Sequence, residues 1–297
     1  MRLAAQPFTD TLATIAWEEC ACLLCGCAHH TPLFEATDPL TNLRFLIVRC
    51  QRCSLAFTNP RPNLDSMARF YPDDYRCHQS KNRLGKTDTM TKLLPIHGQA
   101  RLLDFGCGAG DFLRRMTALG WNATGIDCSE IAVARLQAHG LSAQVGTLPN
   151  PLWTDASFEA ITMRQSLEHT HEPLEVMHAA HRLLTPGGKL LIAVPNFDGV
   201  AASWFGVNWH GLDLPRHLTH FTPATLHLML KQAGFERIEM RQERRASWIR
   251  HSAQLAQQRG DRATMTRLLT TRIGSGLASW CGRWIGRAES ILAIATK

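Results

Sequence analysis

Residues 102–110 read Leu-Leu-Asp-Phe-Gly-Cys-Gly-Ala-Gly, and this stretch decides the fold. Its apolar start predicts a short strand over residues 101–105, and Gly120 closes a predicted helix over residues 111–119. The alternate glycines between them let the main chain turn sharply and let a ligand approach the backbone. A strand that runs through such a turn into a helix is typical of α/β proteins.

Strands and helices alternate from residue 100 onward. The pattern predicts further strands at residues 123–126, 158–163, 189–194 and 235–241, and further helices at 130–138, 173–184 and 225–233. Residues 289–295 form a last predicted strand, and the basic helical residues 246–287 are an insertion before it. This order predicts a domain over residues 81–297 whose mainly parallel sheet carries helices on both faces.

Six of the ten cysteines lie between residues 20 and 53. In a reducing compartment, such a cluster indicates metal binding rather than disulfides. Two C-x₂-C pairs separated by 24 residues have the spacing of a zinc ribbon, and a redox role for the pairs is the alternative. Cys20 and Cys27 are less well spaced. We therefore predict a module over residues 1–80 in which structural Zn²⁺ is held by Cys22, Cys25, Cys50 and Cys53.

The glycine loop does not fit the dinucleotide pattern G-x-G-x-x-G, since the sixth position counted from Gly106 is Asp111. Asp104 also precedes the first glycine, where it would repel a pyrophosphate. Asp127 ends the next strand, and a carboxylate there can accept hydrogen bonds from both ribose hydroxyls of a nucleoside. Together, the loop and Asp127 predict a nucleoside site with an anionic group at the helix N-terminus.

The glycine motif, Asp127 and residues 183–190 (Leu-Leu-Thr-Pro-Gly-Gly-Lys-Leu) resemble class I S-adenosylmethionine-dependent methyltransferases. The resemblance covers about residues 98–240 and the final strand. It implies a Rossmann-like seven-stranded sheet with an antiparallel last strand. It also implies that the methionine end lies near Asp104, Gly106, Gly108, Gly110 and Gln165, that Asp127 holds the ribose, and that the backbone near Leu148 contacts the adenine. Thr147 stands where the family often has an Asp at the adenine.

Residues 204–221 follow the fifth strand and combine two Trp, three His, an Asp and an Arg. Aromatic faces with hydrogen-bonding groups suit a sugar or another polyhydroxylated or planar acceptor. We predict His217 as general base, oriented by Asp213 or Arg216, and His169 as a residue that faces the acceptor. The alternatives are a hydrogen bond at a helix start for His169 and packing beneath a lid for His217. The spacing of these histidines does not indicate a metal site.

The cysteine pairs and several short motifs resemble a bacterial methyltransferase group with an N-terminal four-cysteine zinc ribbon, often associated with surface polysaccharide and secondary-metabolite pathways. The motifs are Asn59-Pro60-Arg61-Pro62, Phe70-Tyr71-Pro72-Asp73-Asp74-Tyr75, Glu168-His169 and Pro215-Arg216-His217. The resemblance implies methyl transfer from S-adenosylmethionine to a small-molecule or glycan acceptor, which we place at a hydroxyl. The alternatives are an RNA methyltransferase whose zinc module binds nucleic acid, and a zinc-bearing binding module without catalysis. Nucleic acid is disfavoured because residues 164–166, Arg-Gln-Ser, differ from the Asn/Asp-Pro-Pro-Tyr/Phe of base-amino methyltransferases.

The net charge of +7 is concentrated in residues 241–297, which hold 11 Lys/Arg and 3 Asp/Glu. Within the insertion, apolar residues at helical spacing are interleaved with Arg. Such an amphipathic segment packs in the core, forms a dimer interface, or makes peripheral contact with an anionic membrane. The sequence has neither an apolar run of about 18 residues nor a signal-peptide pattern. We therefore expect a cytoplasmic protein, and the sequence leaves its oligomeric state open.

Overall fold

The N-terminal part of the chain is a small antiparallel β structure. This computed structural model describes residues 15–71, 89–95 and 100–297. The elements before residue 71 are β1 (Trp17–Glu18), β2 (His30–Thr37), β3 (Arg44–Cys50), β4 (Ala56–Thr58), β5 (Arg61–Pro62) and α1 (Leu64–Met67). Strands β2, β3 and β4 pair antiparallel, and β1 pairs with β5. Residues 1–14 of the module predicted over residues 1–80 lie outside the described residues.

The central part alternates strands and helices as predicted. In chain order it contains α2 (Thr89–Leu93), β6 (Arg101–Phe105), α3 (Asp111–Ala118), β7 (Asn122–Asp127), α4 (Glu130–Ala138), β8 (Ala143–Val145), β9 (Phe158–Arg164), α5 (Pro173–Leu183) and β10 (Leu184–Pro195). The predicted turn at residues 186–188 lies inside β10 rather than before it. The pairing of β10 with β9 shifts register between Leu184 and Lys189, so the strand absorbs the turn as a bulge.

The remaining third of the chain adds two segments to the strand–helix alternation. The first contains α6 (Val200–Phe205) and β11 (Thr219–His220). It is followed by the last predicted helix and strand of the alternation, α7 (Pro223–Gln232) and β12 (Arg237–Glu243). The second is the predicted insertion, which is helical and leads into the closing strand: α8 (Ala246–Gln258), α9 (Thr264–Leu269), α10 (Arg272–Trp284) and β13 (Ser290–Thr296).

The central sheet has seven strands in the order β12-β13-β10-β9-β6-β7-β8. Strand β13 runs antiparallel to β10 and β12, whereas the other neighbouring pairs are parallel. Consecutive residues of β6 face opposite sides: Leu103 belongs to the apolar cluster of α5 and α7, and Leu102 to that of α3 and α4. Helices therefore cover both faces, which confirms the predicted Rossmann-like α/β sheet.

Strand β11 connects the N-terminal part to the rest of the chain. It pairs antiparallel with β4, so the N-terminal sheet has the order β11-β4-β3-β2 and takes one strand from the segment after β10. Leu24 and Phe57 also share one buried apolar cluster with Phe221. The predicted boundary at residue 80 lies outside the described residues. Because of the shared sheet, the N-terminal part directly supports residues 209–218, which immediately precede β11.

Candidate active site

The glycine loop between β6 and α3 has the backbone conformation that its composition predicts. Gly106, Gly108 and Gly110 have φ angles of +70°, +50° and +73°, in the left-handed region that side chains disfavour. A Cβ atom at Gly106 would overlap the side chain of Ser166, and one at Gly110 would overlap Leu136. The glycines are therefore required both for the turn and for the close approach of neighbouring residues.

Asp127 ties the glycine loop to the end of β7. Its Oδ2 accepts a hydrogen bond of 2.9 Å from the N–H of Gly108, and its Oδ1 accepts one of 2.9 Å from the N–H of Ser129. Each carboxylate oxygen can accept more than one hydrogen bond. Asp127 therefore orders the loop, and its remaining acceptor capacity lies at the sheet edge where a ribose would bind.

The other predicted cofactor residues lie at the same carboxyl edge of the sheet. Asp104 is buried and accepts a hydrogen bond of 2.8 Å from Oγ1 of Thr162. Leu148 is buried beyond the end of β8. Gln165 follows β9 with a φ of +55°, and its side-chain Nε2 is buried without a hydrogen-bond partner among the described residues. A buried amide donor without a partner costs free energy unless a ligand accepts its hydrogen bond.

His217 and His169, the two predicted acceptor residues, lie beside each other. Their ring centroids are 4.6 Å apart. Nδ1 of His217 lies 2.8 Å from the carbonyl oxygen of Gly211, an acceptor, so Nδ1 carries the proton and Nε2 has the lone pair in the neutral ring. That Nε2 lies 3.9 Å from Oε1 of Glu168 and 3.8 Å from Oδ2 of Asp213. This nitrogen therefore lies near two carboxyl groups.

Burial controls protonation in this cluster. Removal from water raises the pKa of Glu168 to about 8, and neither carboxyl oxygen has a hydrogen-bond partner among the described residues. Burial lowers the pKa of His169 to about 3 and also lowers the pKa of His217. Burial alone would raise the pKa of Asp213, but its hydrogen bonds with Arg216, together with the charges of His217, Arg216 and His169, lower it. These shifts favour the neutral forms of both histidines and of Glu168, and the ionised form of Asp213.

Asp213 and Arg216 form a bidentate ion pair with distances of 2.6 and 3.0 Å. Arg216 also donates to the carbonyl oxygen of Phe70, and Tyr71 Oη lies 3.0 Å from Nδ1 of His169. The predicted orienting pair is therefore present, but its second function is to attach this segment to the N-terminal part.

Three residues of this cluster were not predicted as site residues. Glu168 had a signal, because it directly precedes His169 at the end of β9. Tyr71 lies in the motif at residues 70–75, but that motif did not indicate a contact with His169. Thr58 had no signal: its Oγ1 donates a hydrogen bond of 3.1 Å to the carbonyl oxygen of His217, 159 residues away. Trp209 was expected to offer an aromatic face to the acceptor, but it is only 2% exposed and packs near Phe197. Its ring is buried in an apolar cluster of the core.

The four predicted metal-binding cysteines come together. Their sulfur atoms all lie within 4.8 Å of one another, with Cys22–Cys53 at 3.4 Å and Cys25–Cys50 at 3.5 Å. These separations are far longer than a disulfide bond and close to the roughly 3.8 Å between ligands at 2.3 Å from a tetrahedral Zn²⁺. The set therefore fits zinc.

The two cysteine turns have matching backbone geometry. Gly26 and Ser54, which follow the second cysteine of each pair, have φ angles of +66° and +63°. Burial would raise the pKa of Cys50, but backbone N–H groups at residues 52 and 53 lower it to about 6. The less well-spaced Cys20 and Cys27 lie outside the group of four: their sulfurs face Asn59 and the carbonyl of His29.

A second group of possible metal ligands was not expected from the spacing. The ligand atoms of Glu168, His169 and His217 also lie within 4.8 Å of one another. Sequence spacing missed this group because His217 lies on a different segment from the other two residues.

Comparison with known proteins identifies the family. A family model described as a methyltransferase domain matches residues 67–240, more than half of the chain. The chain belongs to this methyltransferase family. It is an S-adenosylmethionine-dependent enzyme, as the resemblance of the glycine motif, Asp127 and residues 183–190 implied, and S-adenosylmethionine is its cofactor.

The relatives of this methyltransferase include O-methyltransferases. It is 33% identical over 164 residues to a ubiquinone biosynthesis O-methyltransferase of Xanthomonas oryzae pv. oryzae, a match that covers 51% of this chain and 68% of the relative. A protein of the same name from Pseudomonas aeruginosa is 30% identical over 149 residues, covering 46% and 64%. A chain of the complex between a Haloferax volcanii methyltransferase activator and its methyltransferase has a similar fold, with a TM-score of 0.50 and 19% identity, covering 68% of this chain and 84% of that one.

Proposed function

We propose that this methyltransferase transfers the methyl group of S-adenosylmethionine to a hydroxyl oxygen of a small-molecule acceptor, with His217 as the general base. The observation that carries the proposal is that Nδ1 of His217 donates to Gly211, which leaves Nε2 as the proton acceptor, 3.9 Å from Glu168 and 3.8 Å from Asp213. The ubiquinone biosynthesis O-methyltransferases among the relatives support an oxygen acceptor. A glycan hydroxyl presents the same chemistry and stays an alternative.

The cofactor contacts that we propose use an acceptor and a donor at the sheet edge. Asp127 accepts from the ribose hydroxyls while it holds Gly108, and the buried Nε2 of Gln165 donates to the methionine carboxylate. The backbone near Leu148 faces the adenine. The cofactor supplies a methyl group already activated by its sulfonium, so the protein needs only to align the acceptor and exclude water.

His217 contributes proton removal. As the acceptor oxygen forms its bond to the methyl carbon, the carbon–sulfur bond breaks and the hydroxyl proton moves to Nε2 of His217. The imidazolium that forms is stabilised by ionised Asp213, 3.8 Å from Nε2. Arg216 fixes the position of Asp213 through its two hydrogen bonds.

Two variants separate cofactor binding from catalysis. Asp127→Ala removes the ribose acceptor, so calorimetry is expected to show at least a tenfold loss of S-adenosylmethionine affinity; unchanged affinity would contradict the ribose assignment. His217→Ala is expected to lower kcat by 10²–10⁴, the usual contribution of a general base, with cofactor affinity unchanged. The control His139→Ala alters an exposed histidine. Full activity of His217→Ala would remove His217 as the base.

A divalent cation held by Glu168, His169 and His217 is a second way to activate a hydroxyl, and the grouping of their ligand atoms favours testing it. Added Mg²⁺, Mn²⁺ or Zn²⁺ would then raise the activity of a chelator-treated enzyme. Activity that does not respond to these cations supports His217 as the base.

We also propose that Cys22, Cys25, Cys50 and Cys53 hold a structural Zn²⁺. The four converging sulfurs, at separations close to those of zinc ligands, support it. Mass spectrometry of the native protein is expected to show one zinc per chain, which Cys53→Ser loses and the control Cys20→Ser retains. A metal-free native protein would contradict the proposal.

A further inference from the structure

Helix α10 exposes its large apolar residues and buries its small ones. The residues at positions 273, 277, 280 and 284 recur at helical spacing and therefore share one face. They are 77%, 62%, 49% and 74% exposed and are Ile273, Leu277, Trp280 and Trp284. The buried residues of the helix are Gly274, Ser275, Ala278, Ser279 and Gly282. A surface helix normally turns its apolar face toward the core, so α10 has the reverse orientation.

Neighbouring residues extend this exposed apolar face. Met265 and Leu268 of α9 are 61% and 52% exposed, and Ile285 just after α10 is 64% exposed. Leu268 lies directly against Gly274, so the two helices adjoin there. The rings of Trp280 and Trp284 pack together at 5.5 Å. We call this surface the α9–α10 patch: Met265, Leu268, Ile273, Leu277, Trp280, Trp284 and Ile285.

Cations accompany the α9–α10 patch along the sequence. Residues 262–288 contain five Arg and no Asp or Glu. Arg267, Arg272 and Arg283 are exposed and directly precede Leu268, Ile273 and Trp284 of the patch. Within the described part of the chain, Arg262, Arg267 and Arg272 form no ion pair with a carboxylate. The patch is thus apolar and lies among unneutralised positive charges.

Two occupants could cover such a surface, a second copy of this chain or an anionic lipid bilayer, and the charge pattern decides between them. A two-fold contact between copies of this chain brings the same patch of both subunits together, so it would confront arginines with arginines. Anionic phospholipid headgroups supply the missing negative charge, and the headgroup–acyl boundary accommodates the apolar side chains. Tryptophan is enriched at that boundary.

We propose that the α9–α10 patch docks the enzyme on an anionic lipid bilayer. None of the described helices has the length and apolarity to cross a membrane, so the contact is peripheral. Helix α8 links the patch to the acceptor side of the fold: α10 packs against α8, and Ser252 of α8 accepts a hydrogen bond of 2.9 Å from the N–H of His210. The surface is independent of the proposed chemistry at His217.

Co-sedimentation of the full chain with vesicles tests the proposal without an activity assay. We expect binding to phosphatidylcholine vesicles that contain 30% phosphatidylglycerol, weak binding to pure phosphatidylcholine, and loss of binding as salt rises. Arg272→Glu is expected to weaken partitioning at least fivefold, the contribution of one Arg near an anionic surface. Trp280→Ser with Trp284→Ser is expected to weaken it at least tenfold.

Ile131→Ser with Leu152→Ser serves as the matched control, because these residues are 52% and 62% exposed outside the patch. Equal binding to neutral and anionic vesicles, or no binding at low salt, overturns the proposal. A dimer in sedimentation velocity that the tryptophan variant dissociates would assign the patch to a second copy instead, and also overturns it. Methylation of a soluble acceptor is measured in a separate assay. A failure of the proposed function in that assay would therefore leave the vesicle-binding result unchanged.

Discussion

Glu168 provides a quantitative test of the site's electrostatics. Its carboxyl group is fully buried, and burial raises its pKa from 4.5 to about 8. The folded protein therefore binds this proton more tightly than the unfolded chain does. The resulting stabilisation is complete below pH 4.5 and is lost as the pH rises through 8.

Glu168→Gln removes this dependence on pH. The amide resembles the protonated acid in shape but does not ionise. Each pKa unit corresponds to about 1.4 kcal/mol, so between pH 6 and pH 8 the native protein should lose roughly 2 kcal/mol of unfolding free energy that the variant keeps. The difference in unfolding free energy between the two proteins, followed as a function of pH, reports on Glu168 alone, because both proteins contain the same histidines.

The assay is urea unfolding followed by tryptophan fluorescence at several pH values, without added divalent cations. The control is Glu236→Gln at an exposed position. If native and Glu168→Gln unfolding free energies run parallel from pH 6 to pH 9, Glu168 is not held as the acid, and the charge assignment of the cluster is wrong.

Three further predictions concern the loop, the N-terminal support and the base. Gly110→Ala is expected to cost roughly 2–4 kcal/mol of stability in thermal unfolding, because it combines a left-handed φ with overlap of Leu136. The control Gly140→Ala has a similar φ in open space and should cost only about 1–2 kcal/mol. Thr58→Val is expected to lower kcat while calorimetry finds S-adenosylmethionine affinity unchanged, since Oγ1 supports the His217 backbone; equal losses in both would refute this. Because burial lowers the pKa of His217, the acid limb of kcat/KM should fall below pH 6.5, and a midpoint above 6.5 would contradict His217 as the base.

Local patterns account for the position of the predicted cofactor residues in the fold. The glycine loop and Asp127 lie at strand ends, so strand and helix periodicity alone brings them to one sheet edge. The acceptor half depends on contacts between distant segments, and no local pattern indicated that Thr58 or Tyr71 would support the histidines. Periodicity also shows which residues of α10 share a face but not which face is buried. The small residues pack inward there, so core packing, one of the three alternatives that the sequence left open, does not hold for most of the large apolar residues in α9 and α10.

With His217 as the proposed base, the contacts around it predict that the cysteine module affects catalysis without touching the cofactor. Cys50 ends β3, β3 pairs with β4, and Thr58 at the end of β4 holds the carbonyl oxygen of His217. Two N-terminal residues, through Tyr71 Oη and the Phe70 carbonyl, further anchor His169 and Arg216. The glycine loop and Asp127 instead depend on β6, β7 and α3, in the central sheet. Disorder introduced at the four cysteines should therefore displace the base and its orienting pair while the nucleoside site remains intact.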